Sequence, residues 1–331
     1  MNPTVINPMN PTDRPTLMET PAMTTTSSEA TTGQDADNEL PRPATLEDVP
    51  GWFWPLDQRL FAWFLGEGAA DSPAGDLLEM GCYLGKSTIV MGQFLRPEEK
   101  MTVCDLFGSD DGYTKEATKA FYQKSLTRRA FEANYSAFHD ALPELVEGRT
   151  DVLPDLIEDD SCRFVHIDAS HMYDDVRDDI LTAKAALREG GILVLDDYRT
   201  EHTPGVSAAS WEAVFRHGLR PVMLSSNKMY GTWGDPAPLR DALLENLRAV
   251  PNCKPEIQRI AGTDVLRASR AKIPAPDLVT SRHPASVASR VLPAPRSEGA
   301  QAPGRKPSAL RRLAVDLLPP VVTRAVRKAR R

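Results

Sequence analysis

The chain has 331 residues, which is long enough for one α/β domain with further segments, and its formal net charge is −7. The charge is unevenly placed: the segment from Arg267 onward holds fifteen Lys and Arg against three Asp and Glu, so the rest of the chain is strongly acidic. An acidic body argues against a general nucleic-acid-binding protein, which needs a basic surface for phosphates, and no run approaches the roughly 20 apolar residues of a membrane span.

Both ends of the chain are predicted to lie outside the folded domain. Residues 1–45 are rich in Pro, Thr, Ser and Asn without apolar periodicity, which predicts a disordered tail that lacks a secretory signal. Residues 266–331 form a basic Pro/Ala/Arg-rich tail, whose end is either a solvated cationic segment or an amphipathic helix that contacts a membrane surface or an acidic partner. The domain itself is expected at 46–265.

Between Gly51 and Gly234 the pattern alternates between helices and buried strands. Helices are predicted at about 56–65, 86–95, 152–157 and 173–187, with a helical insertion at about 108–140. Strands are predicted at Asp76–Met80, Met101–Asp105, Leu145–Val146, Arg163–Asp168 and Gly191–Asp196. Such alternation, with Val/Ile/Leu-rich strands, predicts a doubly wound, mostly parallel α/β sheet with a Rossmann-like arrangement.

Acidic residues stand at the carboxyl ends of these strands, where doubly wound sheets bind their ligands. The ends carry Glu79, Asp105, Asp168 and the pair Asp196–Asp197. So much negative charge in one crevice requires a cation or hydrogen-bond donors to compensate it.

The first strand leads into the stretch LLEMGCYLGKSTIV at 77–90, which resembles a phosphate-binding loop. A P-loop has four residues between its glycines, but only three separate Gly81 from Gly85. Glu79 would oppose a triphosphate, and Asp105 ends the next strand, where an acid accepts ribose hydroxyls. A cofactor with a ribose and a positive charge fits better, and S-adenosylmethionine has both. Lys86 is then an ordinary helix residue.

Three blocks together resemble the class I S-adenosylmethionine-dependent methyltransferases, within methyltransferase domain family 24 and its macrocin-type and rhamnosyl sugar O-methyltransferases. The blocks are Glu79–Thr88 (EMGCYLGKST), Val165–Tyr173 (VHIDASHMY) and Leu193–Tyr198 (LVLDDY). The family fold has a seven-stranded sheet ending in an antiparallel pair, for which 219–225 and 228–233 are placed.

The resemblance implies a cofactor site around the glycine turn. The residues expected to bind S-adenosylmethionine are Glu79, Gly81, Tyr83, Gly85, Ser87, Asp105, Thr150 and Asp168. Glu79 would orient either the loop or the cofactor's amino group, and Thr150 would border the adenine.

The aspartates after the fourth and fifth strands predict a magnesium site. Asp168, Asp196 and Asp197 form an all-oxygen set that suits Mg²⁺ better than zinc, and the resemblance implies such a metal. His171, three residues past Asp168, is the candidate general base. Some relatives have an aspartate where this chain has Ser170, so His202 competes for that role. His166, inside the strand, is assigned to the core.

The sequence therefore predicts a cytoplasmic, S-adenosylmethionine- and Mg²⁺-dependent O-methyltransferase that acts on a sugar hydroxyl of a glycoside, glycolipid or oligosaccharide. Two alternatives remain open: a methyltransferase of a phenolic or catechol-like hydroxyl, and a non-catalytic cofactor-binding scaffold. The expected partner is a small-molecule or glycan acceptor, not nucleic acid, and the insertion at 108–140 serves either as an acceptor lid or in a homodimer interface.

Overall fold

The computed structural model describes residues 40–108, 126–260, 262–269 and 272–284. Residues 1–39 of the N-terminal tail, the expected C-terminal helix and the insertion aromatics Tyr113, Phe121 and Tyr122 lie outside the described residues. Within the described part of the chain, no helix has the length and apolar character needed to cross a membrane.

Six α-helices lie in the described residues: α1 Pro55–Leu65, α2 Lys86–Gln93, α3 Arg128–Ser136, α4 Tyr173–Ala186, α5 Pro204–Arg216 and α6 Ala237–Arg248. Pro55 at the start of α1 has its φ angle preset for a helix, and the side chain of Thr127 caps α3 by accepting a hydrogen bond from the Ala130 amide. The predicted helix at 152–157 is instead a short 3₁₀ helix at Thr150–Asp155, which contains Pro154. Pro154 cannot donate a helical hydrogen bond, which accounts for a short 3₁₀ helix at this position.

The strands are β1 Asp76–Met80, β2 Met101–Asp105, β3 Glu144–Glu147, β4 Cys162–Ile167, β5 Leu187–Leu195, β6 Arg220–Leu224, β7 Met229–Thr232, β8 Glu256–Ile260 and β9 Thr263–Arg267. They form one sheet in the order β3-β2-β1-β4-β5-β7-β6-β9-β8. The first five strands run parallel. As expected, β6 and β7 form an antiparallel pair, and β7 also pairs antiparallel with β5.

The described sheet has nine strands, so the expectation of seven was wrong. The two additional strands form the hairpin β8–β9, and β9 pairs in parallel with β6 at Met223 and Leu224. Val265 and Leu266 of β9 are fully buried, whereas β8 is exposed along most of its length. The hairpin therefore covers the β6 edge, which would otherwise be unpaired.

Both faces of the sheet are buried, as the doubly wound prediction requires. Leu77 of β1 belongs to a core shared with α1, α2, α3 and α6, whereas its neighbour Leu78 belongs to a second core shared with α4 and α5. Successive strand residues point to opposite faces, so one apolar run fills two cores. The strand order reverses direction at β1, which lies between β2 and β4. The ligand crevice of this fold is expected beyond the carboxyl ends of those strands.

Residues outside the expected domain boundaries of 46–265 also pack against the domain, at both ends. Pro43 is buried near the amino end, and its carbonyl accepts a hydrogen bond from the Ser281 hydroxyl at 2.6 Å. The Arg282 amide donates to the Ala137 carbonyl at 2.9 Å, and Ile273 is buried in the core. Part of the segment assigned to the basic tail is therefore bound to the domain.

A buried ion pair connects β4 with the ends of two helices. The guanidinium of Arg163 donates to both carboxylate oxygens of Glu99 at 2.7 and 2.9 Å, and to the carbonyls of Leu65 and Phe94 at 3.2 and 2.8 Å. Both charged side chains are almost completely excluded from solvent. Without Arg163, the buried Glu99 would keep only Arg96, whose Nε lies 3.7 Å away, and two backbone amides as partners.

We expect Arg163→Met to lower the free energy of unfolding by about 3–5 kcal/mol, because Glu99 and two carbonyls would lose the guanidinium that donates to them. Urea denaturation measures the change. The matched control is Arg282→Met, since Arg282 pairs with the fully exposed Asp140 at 3.1 Å, where we expect about 0–1 kcal/mol. Equal losses in the two variants would contradict a structural role for the buried pair.

Candidate functional site

The glycine turn after β1 is shaped by contacts within the protein. Gly81 has φ +82°, and a Cβ there would collide with the Asp168 carbonyl and lie 2.6 Å from Ala169 Cα. Gly85 has φ +88°, and a Cβ would lie 2.9 Å from the Phe131 ring. Both positions therefore require glycine, because of their backbone conformation and because neighbouring chain approaches closely. The close approach at Gly81 brings the end of β4 beside the turn.

Glu79 lies fully buried beneath this turn. Its carboxylate accepts hydrogen bonds from the hydroxyls of Ser87, at 2.5 Å, and of Thr88, and it lies 2.8 Å from His166 Nδ1. These bonds tie the start of α2 to β1 and β4. Of the two roles expected for Glu79, orienting the loop or orienting the cofactor's amino group, these bonds match the first. The hydroxyl of Ser87, which was expected to bind the cofactor, donates to Glu79.

Asp105, at the end of β2, binds the backbone of the same turn. One carboxylate oxygen accepts from the amides of Cys82 and Tyr83 at 2.7 and 3.0 Å, and the other accepts from the Phe107 amide at 2.9 Å. Burial raises the pKa of Asp105, while the three amides oppose that shift. The structure thus places Asp105 and the glycine turn together at the switch point, as the cofactor prediction requires.

Tyr83 and Lys86, in and just after the glycine turn, contact residues that precede α1. Lys86 forms an ion pair with Glu47 at 3.0 Å, which fits its assignment as an ordinary residue of the first helical turn. The Tyr83 ring lies 5.9 Å from the ring of the exposed Trp52. These two rings form an aromatic surface next to the turn. Thr150 lies farther along, at the start of the 3₁₀ helix, beside Asp179.

The three aspartates expected to bind magnesium do not form one cluster. Among the described residues, one group of three side chains has its donor atoms within 4.8 Å of one another, and it consists of His166, Asp168 and Asp196. Asp197 instead has one carboxylate oxygen 3.7 Å from His171 Nε2, and Asn227 Nδ2 lies 3.5 Å from the other. Asp168 is exposed at the crevice, next to the buried side chains of His166 and Asp196.

Lys228, immediately before β7, supplies a buried positive charge at this cluster. Its side chain is 3% exposed, and its ammonium forms an ion pair with Asp196 and lies 3.0 Å from His166 Nε2. Burial disfavours the ammonium, but Asp196, Asp168 and Asp57 more than offset it, so the pKa of Lys228 is raised. Burial and the adjacent ammonium lower the pKa of His166. His166 is therefore buried as expected, but it is part of a polar network.

These contacts leave a poor donor set for magnesium. One Asp196 oxygen is bound to Lys228 and the other accepts from the Asp197 amide at 2.7 Å. His166 is engaged at both ring nitrogens, by Glu79 and by Lys228. A hard, strongly hydrated cation such as Mg²⁺ prefers oxygen ligands with free lone pairs. As folded, His166 and Asp196 do not fit that metal, because the Lys228 ammonium is bonded to both of them.

His171 lies at the mouth of the crevice, between β4 and α4. Its side chain is 47% exposed, and its ring centroid is 6.1 Å from that of the exposed His202. Partial burial lowers the pKa of His171, against the opposing charge of Asp197. Ser170, by contrast, donates to Asp175 at 2.6 Å and accepts from the Met172 amide. Ser170 therefore stabilises the start of α4, whereas His171 is open to the crevice.

Sequence reasoning missed Lys228. Its only signal was a single charged residue at the start of an otherwise apolar segment, 228–233. The position of its ammonium depends on β7 pairing antiparallel with β5, which brings Lys228 beside Asp196. Such a contact between residues far apart in sequence is not visible in any local motif.

Residues 78–198 match the model of a family described as a methyltransferase domain. The expected resemblance to that family is therefore confirmed for this part of the chain, which includes the glycine turn, Asp105, the three aspartates and His171. Lys228 lies outside the matched residues. No curated protein matches the chain.

Several solved structures are similar to this chain at low identity. The O-methyltransferase NovP shares 18% identity with a TM-score of 0.43, and the match covers 54% of this chain and 81% of NovP. CalS11, described as a TDP-rhamnose 3′-O-methyltransferase of calicheamicin biosynthesis, shares 18% with a TM-score of 0.36 over 54% and 81%. TomG of Streptomyces achromogenes, an O-methyltransferase involved in tomaymycin synthesis, shares 16% with a TM-score of 0.35 over 55% and 79%. Likenesses this remote carry no argument about activity.

Proposed function

We propose that this methyltransferase-domain protein transfers a methyl group from S-adenosylmethionine to a hydroxyl oxygen, and that the acceptor is a sugar of a glycoside, glycolipid or oligosaccharide. The observation that carries the proposal is the contact between Asp105 and the glycine turn at the switch point of the sheet. This crevice lies within the residues that match the methyltransferase family.

The donor set of the crevice suits this cofactor. When bound, S-adenosylmethionine supplies a methyl group attached to a positively charged sulfur. Asp105 would accept hydrogen bonds from ribose hydroxyls, since a carboxylate at the end of the second strand does so in dinucleotide-type folds. The carboxylates of Asp168 and Asp197 make the crevice negative, which favours a cationic cofactor.

His171 would accept the proton of the acceptor hydroxyl. Its lowered pKa keeps the imidazole neutral near pH 7, so a ring nitrogen can take a proton. Asp197, 3.7 Å from Nε2, would stabilise the imidazolium that forms. The acceptor oxygen would take the methyl group that S-adenosylmethionine supplies, and His171 would hold the proton that the hydroxyl loses.

Support for a sugar acceptor comes from the three sequence blocks and from the exposed ring of Trp52, which lies against the part-buried ring of Tyr83 beside the turn. Aromatic faces of this kind pack against the apolar faces of sugar rings. Methylation of a phenolic hydroxyl is the second candidate, because the same aromatic surface would also stack on a phenol.

Magnesium, expected at Asp168, Asp196 and Asp197, stays a prediction, and no step of this proposal depends on it. Treatment with EDTA followed by added Mg²⁺ tests it directly. Loss of turnover that Mg²⁺ restores would support the metal, and full turnover in EDTA would exclude it.

Calorimetry with S-adenosylmethionine and a methyl-transfer assay test the proposal. We expect one cofactor per chain to bind, and label from the methyl group to appear in a glycan or lipid extract. Mild base should leave that label in place, since it cleaves methyl esters but not methyl ethers. Cofactor binding without methyl transfer would instead favour the non-catalytic scaffold, an absence of cofactor binding would contradict the proposal, and label on a phenol would favour the second candidate.

A further inference from the structure

The ammonium of Lys228 lies where the sequence predicts a divalent metal. It forms an ion pair with Asp196 and lies 3.0 Å from His166 Nε2. The same nitrogen lies 5.7 Å from the centroid of the Phe53 ring and 5.9 Å from that of Phe61. Aromatic faces at these distances attract a cation. The ammonium is therefore enclosed by an acid, an imidazole and two rings.

Hydrogen bonding fixes the orientation of this cation. His166 Nδ1 lies 2.8 Å from a Glu79 carboxylate oxygen, so the arrangement that satisfies both neighbours has Nδ1–H donating to Glu79 and Nε2 accepting from the ammonium. The lone pair that a metal would need on Nε2 is then occupied. On the other side, each oxygen of the Asp196 carboxylate already accepts one hydrogen bond, one from the ammonium and the other from the Asp197 amide.

The charges around Lys228 account for its position. Besides Asp196, the carboxylates of Asp168 and Asp57 act on the ammonium from β4 and α1. A buried acidic cluster of this kind is unfavourable without a positive charge. A lysine side chain from β7 supplies that charge permanently, whereas a bound metal supplies it only at sufficient metal concentration.

We propose that Lys228 is the built-in counter-cation of this crevice: a positioning residue that neutralises Asp196 and orients His166, in the place that a divalent metal would otherwise take. It leaves Asp168, Asp197 and His171 to face the ligands. This proposal concerns the charge balance of the folded protein and does not depend on the identity of the acceptor or on methyl transfer.

Titration of the full-length protein with Mn²⁺, followed by the electron paramagnetic resonance signal of the free ion, tests the proposal without an activity assay. The wild type should bind Mn²⁺ weakly, and Asp196→Asn should leave that binding unchanged, because Asp196 is already paired with Lys228. A wild type that binds one Mn²⁺ per chain, and loses it in Asp196→Asn, would overturn the proposal. This comparison does not require any change at Lys228.

Replacing the lysine provides the second arm. Lys228→Met keeps the length of the side chain but frees donors on Asp196 and His166 beside Asp168, so Mn²⁺ affinity should rise by about tenfold or more. The gain should disappear in Lys228→Met/Asp196→Asn. The matched control is Lys184→Met, at an exposed lysine of α4, which should show no gain. A folded Lys228→Met protein without tighter Mn²⁺ binding would also overturn the proposal.

Discussion

His171→Ala is expected to reduce kcat by about 10²–10⁴-fold, the range for loss of a general base. Cofactor affinity should change little, because no described contact joins His171 to Asp105 or to the glycine turn. The loss would arise because alanine cannot accept the hydroxyl proton next to Asp197. Steady-state methyl transfer measures kcat, and calorimetry measures the affinity for S-adenosylmethionine.

His202→Ala is the matched control, since His202 is the exposed neighbour of His171, with ring centroids 6.1 Å apart. We expect a much smaller effect on kcat in this variant. A near-normal kcat in His171→Ala together with a large loss in His202→Ala would transfer the base role to His202. Large losses in both variants would indicate that the two imidazoles act together.

Asp105→Ala is expected to weaken S-adenosylmethionine binding by about tenfold to a hundredfold, because hydrogen bonds to a charged group contribute about 1.5–3 kcal/mol. The change removes the acceptor for ribose hydroxyls, and it also leaves the amides of Cys82 and Tyr83 without the carboxylate that holds the turn. Calorimetry gives the dissociation constant, and thermal unfolding shows whether the domain remains folded.

Lys86→Ala is the control for this prediction, and it also distinguishes the two interpretations of the glycine turn. Lys86 pairs with Glu47, whose side chain is 67% exposed, so we expect cofactor affinity to stay close to that of the wild type. A phosphate-binding loop would give the reverse order, with Lys86→Ala the more damaging change. That order would contradict the assignment of the turn to S-adenosylmethionine.

The parts of the fold that the sequence predicted well are those set by local pattern. Apolar runs gave the parallel strands, and helical spacing gave α1, α2 and α4 to within a few residues. The hairpin β8–β9 was missed because β9 holds its place by pairing with β6, which lies about 40 residues earlier in the chain. A short strand carries too little local signal to show that partner.

For the candidate site, too, the sequence predicted one part, and the other part depended on the tertiary structure. The acidic residues at the strand ends were predictable, because parallel strands bring their carboxyl ends to one edge of the sheet. Their orientations were not, since the side chain of Asp197 faces His171, whereas that of Asp196 faces Lys228.

By itself, the sequence determined the doubly wound sheet, the glycine turn after β1 and the set of acids around the crevice, because each depends on residue type at a fixed spacing. Only the tertiary structure decided how the negative charge is compensated. Lys228 reaches Asp196 and His166 because antiparallel pairing places the start of β7 beside the end of β5. The balance of charge in a buried crevice depends on distances in space, and spacing along the chain does not determine those distances.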